Sequence, residues 1–440
     1  MSAFHQRISP PQIESIFAKL ASEGFLGDDV KSVIVHDVAR MQQRIAMLQD
    51  AFPDGTLHAI AIKANPVVEI LRAAVDAGAG LEAASIEEVT LALAAGCPPD
   101  RIIFDSPAKT VAEIRQTLER GIHVNVDNFD ELDRVALILK ASPSDAKPTS
   151  TIGLRVTPEV GAGSISHTSV GNRGSKFGVS ISRDREQILA AFARHAWLVG
   201  LHIHVGSQGC PMEQLCDAAE KIESLRQEIQ SHTGRAVPVV DIGGGLPAPY
   251  DDDHQPASPD AYAAELGRRV PTLFDGNVRL VTEFGRSVQA GCGLALSRVE
   301  YVRDLPAGDA GEATCMAVIH LGADFLVRPV YRPQDWSHEY AVLDASGRLR
   351  DEPDDRISIG GPLCFGGDIP ARNVAMPRPR VGDWIAIRDC GAYTLSMWSR
   401  HCSRGIPDVI GYDGEARSTR LLRAAESPGG IARFWSAGEI

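Results

Sequence analysis

The sequence is short of positive charge and has no long apolar run. Among its 440 residues, 44 lysines and arginines stand against 57 aspartates and glutamates, which gives a formal net charge of −13. A surface with this balance repels phosphate backbones and anionic lipid, so neither nucleic acid nor a membrane is an expected partner. No stretch approaches the roughly 18 uninterrupted apolar residues that a membrane-spanning helix needs.

Cysteine motifs and a secretion signal are also missing. The eight cysteines are scattered without a C-x-x-C pair, which fits neither a zinc ribbon nor a dense disulfide framework. The first twelve residues, MSAFHQRISPPQ, contain no apolar segment behind a basic start, so no signal peptide is predicted. We therefore expect a cytoplasmic protein with reduced thiols.

What the sequence does contain is a repeated alternation of short β-branched runs with segments of helical period. Eight candidate strands occur, and each except the last is followed by a candidate helix: 58–65, 80–85, 101–106, 123–128, 151–158, 198–207, 237–245 and 278–286. Eight near-equal units predict an α/β fold of the (β/α)₈ TIM-barrel type. A doubly wound open sheet is the structural alternative.

After Arg286 the pattern changes to strand-like runs separated by Gly, Pro and Asp, which predicts a second, mainly antiparallel β domain. The strand-like SVIVHDV near the N-terminus lies outside the barrel count and is expected to join that domain. The predicted division is therefore 36–286 for the barrel, and 1–35 together with 287–440 for the β domain.

The active site of such a barrel lies at the carboxyl ends of its strands. Polar residues and glycines occupy these ends here: Lys63, Glu82 with Ser85, Asp105, Asp127, Arg155, His204 with Ser207, Gly243 to Gly245, and Glu283 with Arg286. A lysine in this place must be paired or lose its proton, and a desolvated lysine amine forms imines readily. A lysine that extends to solvent is the ordinary alternative.

The glycines and histidines suggest a phosphorylated, planar cofactor. Three consecutive glycines let the backbone approach an anion closely, and Ser207 and Arg286 would add a hydroxyl and a guanidinium to it; a flexible turn is the alternative. His202 and His204 share one face of a strand, but no third ligand with suitable spacing accompanies them, so no metal is predicted. A carboxylate such as Glu283 beside a pyridine nitrogen would keep that nitrogen protonated.

In these motifs the chain resembles the fold-type III pyridoxal-phosphate decarboxylases, the group that contains ornithine/arginine and diaminopimelate decarboxylases. The matching motifs, in order, are AIKANP (61–66), LEAASIEEV (81–89), LRVTP (154–158), SKFG (175–178), HVGSQ (204–208), DIGGGLP (241–247), EFGR (283–286), RPVY (328–331), GPLCFGGD (361–368) and GAYT (391–394).

The resemblance implies that Lys63 binds pyridoxal 5'-phosphate covalently, that His204 stacks on its ring and that Glu283 meets its pyridine nitrogen. Residues implied to hold the phosphate are Ser207, Gly243, Gly244, Gly245, Gly285, Arg286 and Tyr393. Glu82, where Asp is more usual, and Arg155 match polar positions near the cofactor.

The resemblance also implies a homodimer with two shared active sites. In the family, the β domain contributes to the dimer interface, and the cysteine of the GPLCFGGD motif reaches into the partner's site. Cys364 is therefore expected to be catalytic and to protonate the carbanion after CO₂ leaves.

The sequence departs from the family at the residue after this cysteine. Phe365 stands where the family places Asp or Glu to bind a distal amine, and Asp368 is the candidate to bind that amine instead. Arg328 and Tyr331 match positions that bind the far carboxylate in diaminopimelate-type enzymes.

We therefore predict an amino-acid decarboxylase whose substrate has an acidic or acyl-modified distal end, as in siderophore or secondary-metabolite precursors. Diaminopimelate decarboxylase of lysine biosynthesis is the alternative. An amino-acid racemase of the same fold type and a non-catalytic regulator resembling antizyme inhibitor are the rivals from other classes.

Overall fold

The computed structural model describes residues 2–141, 149–165, 169–172, 174–253, 255–306 and 312–437. Its strands are β1 (Ser32–Asp37), β2 (Leu57–Ala61), β3 (Gly80–Ala83), β4 (Ile102–Phe104), β5 (His123–Val126), β6 (Ile152–Thr157), β7 (Val179–Ser180), β8 (Leu198–His202), β9 (Val239–Asp241), β10 (Arg279–Thr282), β11 (Gly293–Arg298), β12 (Tyr301–Asp304), β13 (Cys315–Val318), β14 (Tyr340–Leu343), β15 (Asp354–Gly360), β16 (Ala371–Pro377), β17 (Trp384–Arg388), β18 (Val409–Asp413) and β19 (Ser418–Arg423).

The α-helices are α1 (Pro10–Ser22), α2 (Val38–Ala51), α3 (Val68–Asp76), α4 (Ile86–Ala94), α5 (Val111–Glu119), α6 (Phe129–Ala141), α7 (Arg185–Arg194), α8 (Met212–Thr233), α9 (Pro259–Arg269), α10 (Arg286–Gln289), α11 (Val327–Tyr331) and α12 (Pro428–Phe434). Within the described ranges, none of them combines the length and the apolar character that crossing a membrane requires.

Parallel pairing closes a barrel in the described part of the chain. Its eight strands follow the order β2, β3, β4, β5, β6, β8, β9 and β10, and β10 pairs back with β2. Seven of these strands lie within their predicted runs and β2 begins one residue before its run, which confirms the barrel and rules out the open sheet. Several runs were predicted too long at their carboxyl ends, as for β8, because the chain leaves the ladder there to place polar side chains at the mouth.

Local chemistry explains the outer helices. The Thr110 hydroxyl accepts the Glu113 N–H at 3.3 Å while the Glu113 carboxylate accepts the Thr110 N–H at 2.6 Å, so both free donors at the start of α5 are satisfied. At the C-terminus of α8, Gly234 adopts φ 68°, a left-handed conformation that costs glycine little.

The β domain contains a six-stranded sheet in the order β14, β17, β11, β1, β18, β19 and a four-stranded sheet in the order β12, β13, β15, β16. β1 pairs antiparallel with β11 and parallel with β18, so the N-terminal segment joins this domain as predicted. α1 covers the six-stranded sheet with buried apolar side chains that include Ile16, Phe17 and Leu20. Most strand pairs are antiparallel, which confirms the predicted character of this domain.

The β domain contacts the barrel at the mouth. The Tyr393 N–H donates to the carbonyl of Ala64 at 2.9 Å, and the Asn65 side-chain amide donates to the carbonyl of Gly391 at 3.2 Å. These bonds bring the GAYT turn directly against the segment that follows β2. The predicted site therefore lies between the two domains.

Candidate active site

Lys63 lies in a single turn of 3-10 helix, Ile62–Ala64, at the end of β2. Its ammonium donates to the fully buried carboxylate of Glu82, and its side chain is 35% exposed. Burial alone would lower the pKa of Lys63, but the carboxylates of Glu82 and Glu283 outweigh that effect and raise it. The amine is therefore held by a buried carboxylate at the barrel mouth, where the lysine side chain is still partly exposed.

The triple glycine forms a cradle that side chains would fill. Gly243 and Gly245 have φ of 67° and 126°. A Cβ added to Gly243 would lie 2.4 Å from the carbonyl oxygen of Ile203, and one added to Gly244 would lie 2.4 Å from the carbonyl oxygen of Glu283. Only glycine fits at these two positions, so the backbone of this turn can approach a bound group closely.

Arg286 begins α10 beside this cradle. Its Nε and Nη2 each donate to the Ser207 hydroxyl at 3.2 Å, and its Nη1 donates to the Tyr250 hydroxyl at 2.7 Å. The guanidinium lies 4.4 Å from the centre of the Tyr393 ring. A cation and a hydroxyl next to a glycine turn are the groups that bind a phosphate monoester.

His204 follows β8 and stands beside the same turn. Its Nδ1 accepts the Gly244 N–H at 3.1 Å and lies 3.8 Å from Glu283 Oε2. Burial lowers the pKa of His204 to about 3, which agrees with a ring nitrogen that accepts a hydrogen bond. A neutral, flat imidazole is thereby fixed at the mouth.

Glu283 supplies an acceptor without a partner. The residue is buried, and neither of its carboxylate oxygens has a hydrogen-bond partner among the described residues. Although burial opposes ionisation, nearby His202 holds the pKa of Glu283 below its usual range. A buried carboxylate in this state suits a protonated pyridine nitrogen.

Arg155 lies deeper in the mouth, where its Nη1 donates to the two carboxylate oxygens of Asp105 at 3.1 and 3.2 Å. The predicted cofactor residues are thus brought together: Lys63, Glu82, Arg155, His204, Ser207, Gly243, Gly244, Gly245, Glu283, Gly285, Arg286 and Tyr393. An amine, a phosphate cradle, a flat imidazole and an unpartnered carboxylate fit pyridoxal 5'-phosphate.

Arg328 lies next to this group. Its guanidinium is 4.6 Å from the ring centres of both Trp336 and Tyr393. Its Nη1 is buried and has no hydrogen-bond partner within the described ranges. Burial and neighbouring Arg286 lower the pKa of Arg328 to about 10. Among the described residues, this second guanidinium of the site has no carboxylate as an ion-pair partner.

Cys364, Tyr331 and Phe365, also predicted as catalytic or substrate residues, belong to the β domain. The rings of Tyr331 and Phe365 stack at 5.9 Å and 10°, and Cys364 is exposed. Among the described residues, Cys364 makes no hydrogen bond with Lys63 or with the other predicted cofactor residues.

Asp368 has a different place from the predicted one. It is buried, its Oδ1 accepts the Ala323 N–H at 2.6 Å, and its Oδ2 accepts the Leu363 N–H at 2.7 Å. The carboxylate thus holds two loops together, one of which leads to Cys364. This corrects the expectation that Asp368 binds a substrate ammonium.

Sequence reasoning missed several members of the site. Tyr250 and Trp336 lie in loops and carry no spacing signal. Polar atoms of Asp105, His202 and Glu283 lie within 4.8 Å of one another. The sequence places Asp105 and Glu283 at strand ends, but it does not show that His202 lies between them, because the three residues come from different strands.

Comparisons with known proteins agree with this geometry. Residues 38–290 match the family model described as "Pyridoxal-dependent decarboxylase, pyridoxal binding domain". The diaminopimelate decarboxylase of Pseudomonas aeruginosa is 32% identical over 83% of each chain. That of Methanothermobacter thermautotrophicus is 30% identical over 84% of each chain.

Solved structures share the fold. Diaminopimelate decarboxylase from Helicobacter pylori, complexed with L-lysine, has a TM-score of 0.80 at 24% identity and covers 94% of this chain and 98% of its own. Lysine/ornithine decarboxylase from Vibrio vulnificus, complexed with putrescine, has a TM-score of 0.70 at 23% identity and covers 89% and 95%. With a family model matching more than half of its length and curated relatives matching most of it, the chain belongs to the pyridoxal-phosphate-dependent decarboxylases of fold type III, which are carboxy-lyases.

Proposed function

We propose that this decarboxylase acts on an amino acid whose far end carries a carboxylate, with diaminopimelate as the first candidate. The two curated relatives described above are diaminopimelate decarboxylases, which supports the alternative from the sequence over the siderophore-type substrate that was predicted first. Lysine biosynthesis would then be the pathway.

The observation that carries this proposal is the guanidinium of half-buried Arg328, whose buried Nη1 has no hydrogen-bond partner among the described residues. A buried cation without a counter-charge is costly, and a substrate carboxylate would remove the cost. Arg286 lies beside it, and the two arginines share the Trp336 and Tyr393 rings. An anionic far end is therefore favoured over an ammonium, which both cations would repel.

The chain's own residues have separate roles at the cofactor end of the site. When bound, pyridoxal 5'-phosphate supplies a sink for the electron pair left by departing CO₂. Lys63 would hold it covalently, with Glu82 orienting the amine. The glycine cradle, Ser207 and Arg286 would hold the phosphate, and Glu283 would face the pyridine nitrogen.

We also propose that the working unit is a homodimer in which Cys364 of the partner subunit donates the final proton. Support comes from the exposure of Cys364 and of Tyr331, whose ring stacks on the half-buried Phe365. Cysteine is a suitable general acid only when it can approach the reacting carbon.

Product analysis by mass spectrometry on diaminopimelate, lysine and ornithine tests the substrate proposal. We expect lysine to form from diaminopimelate at the highest kcat/KM. The Arg328→Gln variant should raise the KM for diaminopimelate more than it changes kcat, because it removes binding to a non-reacting part of the substrate. Faster wild-type turnover of lysine or ornithine would contradict the proposal.

Phe365 favours a second candidate, an amino acid whose distal nitrogen is already acylated. Its ring stacks on Tyr331, so this segment offers an apolar surface where a free ammonium would need charge. A substrate panel that pairs each free amine with its N-acyl form distinguishes the two candidates. The Phe365→Glu variant should shift preference toward the free amine.

A further inference from the structure

His202, the first histidine of the H-x-H pair, ends β8 and is fully buried between two carboxylates. Its Nδ1 lies 3.6 Å from Asp105 Oδ1, and its Nε2 lies 3.6 Å from Glu283 Oε2. Within the described ranges, neither ring nitrogen has a closer hydrogen-bond partner.

This position selects the charged form of the imidazole. A neutral ring carries one N–H, so one nitrogen would turn its lone pair toward a carboxylate. An imidazolium presents an N–H to each side. Burial opposes the charge, but Asp105, Glu283 and Asp241 outweigh burial and raise the pKa of His202 to about 9.

Other charged groups define what this cation does. Arg155 holds Asp105 from the far side. Asp241, at the end of β9, accepts the Gly243 N–H at 2.9 Å and the Asn125 amide at 3.2 Å. Burial and Glu283 raise the pKa of Asp241 well above its usual value. Further titratable groups near Glu283 or Asp105 are Lys63, Glu82, Lys109, His123 and His204.

Asp241 and Glu283 are buried close together, and ionising both of them is energetically costly. A neighbouring group therefore determines which of the two acids carries the charge. His202 lies against Glu283, which leaves Asp241 as the acid that keeps its proton. The row Arg155, Asp105, His202 and Glu283 therefore alternates in charge and ends at the carboxylate that the family's cofactor needs.

We propose that His202 is a positioning residue that keeps Glu283 ionised, so that a proton shared between Glu283 and a pyridine nitrogen resides on the nitrogen. A cation beside the carboxylate stabilises its charged form. This role of His202 concerns the cofactor of the family and not the substrate. Its test can therefore fail without contradicting the diaminopimelate proposal.

The test compares two ligands on cofactor-free full-length protein: pyridoxal 5'-phosphate, and its carbocyclic analogue in which a C–H replaces the ring nitrogen. We expect His202→Gln to weaken binding of pyridoxal 5'-phosphate about tenfold, the equivalent of one pKa unit. Binding of the analogue should stay the same. The matched control is His36→Gln, which replaces a buried histidine of β1 in the β domain and should change neither affinity.

A second readout is the ¹⁵N resonance of ring-labelled cofactor in the loaded enzyme, which should move toward that of neutral pyridine in His202→Gln. Equal weakening of both ligands would make the role merely structural and overturn the proposal, as would unchanged affinity for both. If His202→Gln does not fold, Asp105→Asn replaces it. That variant keeps the imidazole, removes one of the carboxylates that charge it, and should weaken only pyridoxal 5'-phosphate.

Discussion

The barrel mouth and the β-domain segments beside it differ in how deeply their side chains are buried. At the mouth, Glu82, Glu283 and Arg286 are buried and fixed by neighbouring strands. In the β domain, Cys364 is exposed, Phe365 is half-buried, and Tyr331 at the end of α11 is 61% exposed. Covalent chemistry on a cofactor requires rigid placement, whereas substrate choice can change through loops. In the proposals above, one chain supplies all the residues of the cofactor end, whereas the substrate end also uses Cys364 of the partner subunit.

Lys63→Ala should have the largest effect and would test the completeness of the cofactor end. Without the amine no covalent link to the cofactor forms, so activity should fall by about 10³-fold or more. Borohydride reduction of the loaded wild-type enzyme should attach the cofactor to the peptide that contains Lys63, as mass spectrometry would show. Normal visible absorbance and activity in the variant would refute the assignment.

Arg286→Gln and Arg328→Gln should separate the two ends. Each removes charge-assisted bonds worth about 1.5–3 kcal/mol, or roughly 10- to 100-fold in affinity. We expect Arg286→Gln to weaken cofactor binding, because the Ser207 contact and the phosphate site depend on it. Arg328→Gln should leave cofactor affinity unchanged and raise the substrate KM. Titration with cofactor and steady-state kinetics measure the two effects, and the same defect in both variants would erase the distinction.

The two regions also differ in how far sequence reasoning reached. The strands of the barrel repeat a local signal, and the chemistry stands where each strand ends, so Lys63 and Glu283 could be placed without coordinates. Tyr250 and Trp336 reach Arg286 from loops, through contacts that no spacing encodes. Asp368 was misassigned because a carboxylate that accepts backbone N–H groups looks the same in a sequence as one that binds an ammonium.

A matched pair of glycine substitutions sharpens the contrast in rigidity. A Cβ at Gly244 would clash with the Glu283 carbonyl, whereas a Cβ at Gly366 would meet nothing within 4 Å. We expect Gly244→Ala to cost about 1–3 kcal/mol of unfolding free energy and to weaken cofactor binding. Gly366→Ala should be nearly neutral for both. Urea unfolding and cofactor titration of the two variants measure the unfolding free energy and the cofactor affinity. Equal values for the two variants would show that the glycine turn can move to accommodate a Cβ, which would contradict its rigidity.

The smallest effect concerns acid sensitivity at the mouth. The pKa of His204 is lowered to about 3 in the folded chain. Its imidazole therefore binds a proton near pH 6.5 in the unfolded chain, but not in the folded chain. Stability therefore falls as pH drops below about 6.5, and at pH 5 this histidine accounts for at most about 2 kcal/mol. His204→Asn should flatten that part of the curve in cofactor-free protein, measured by urea unfolding at pH 7 and pH 5. The same change at exposed His401, in the β domain, should leave the slope intact. An unchanged slope in His204→Asn would show that the mouth opens enough to hydrate the imidazole, and the rigidity assigned to the cofactor end would then be wrong.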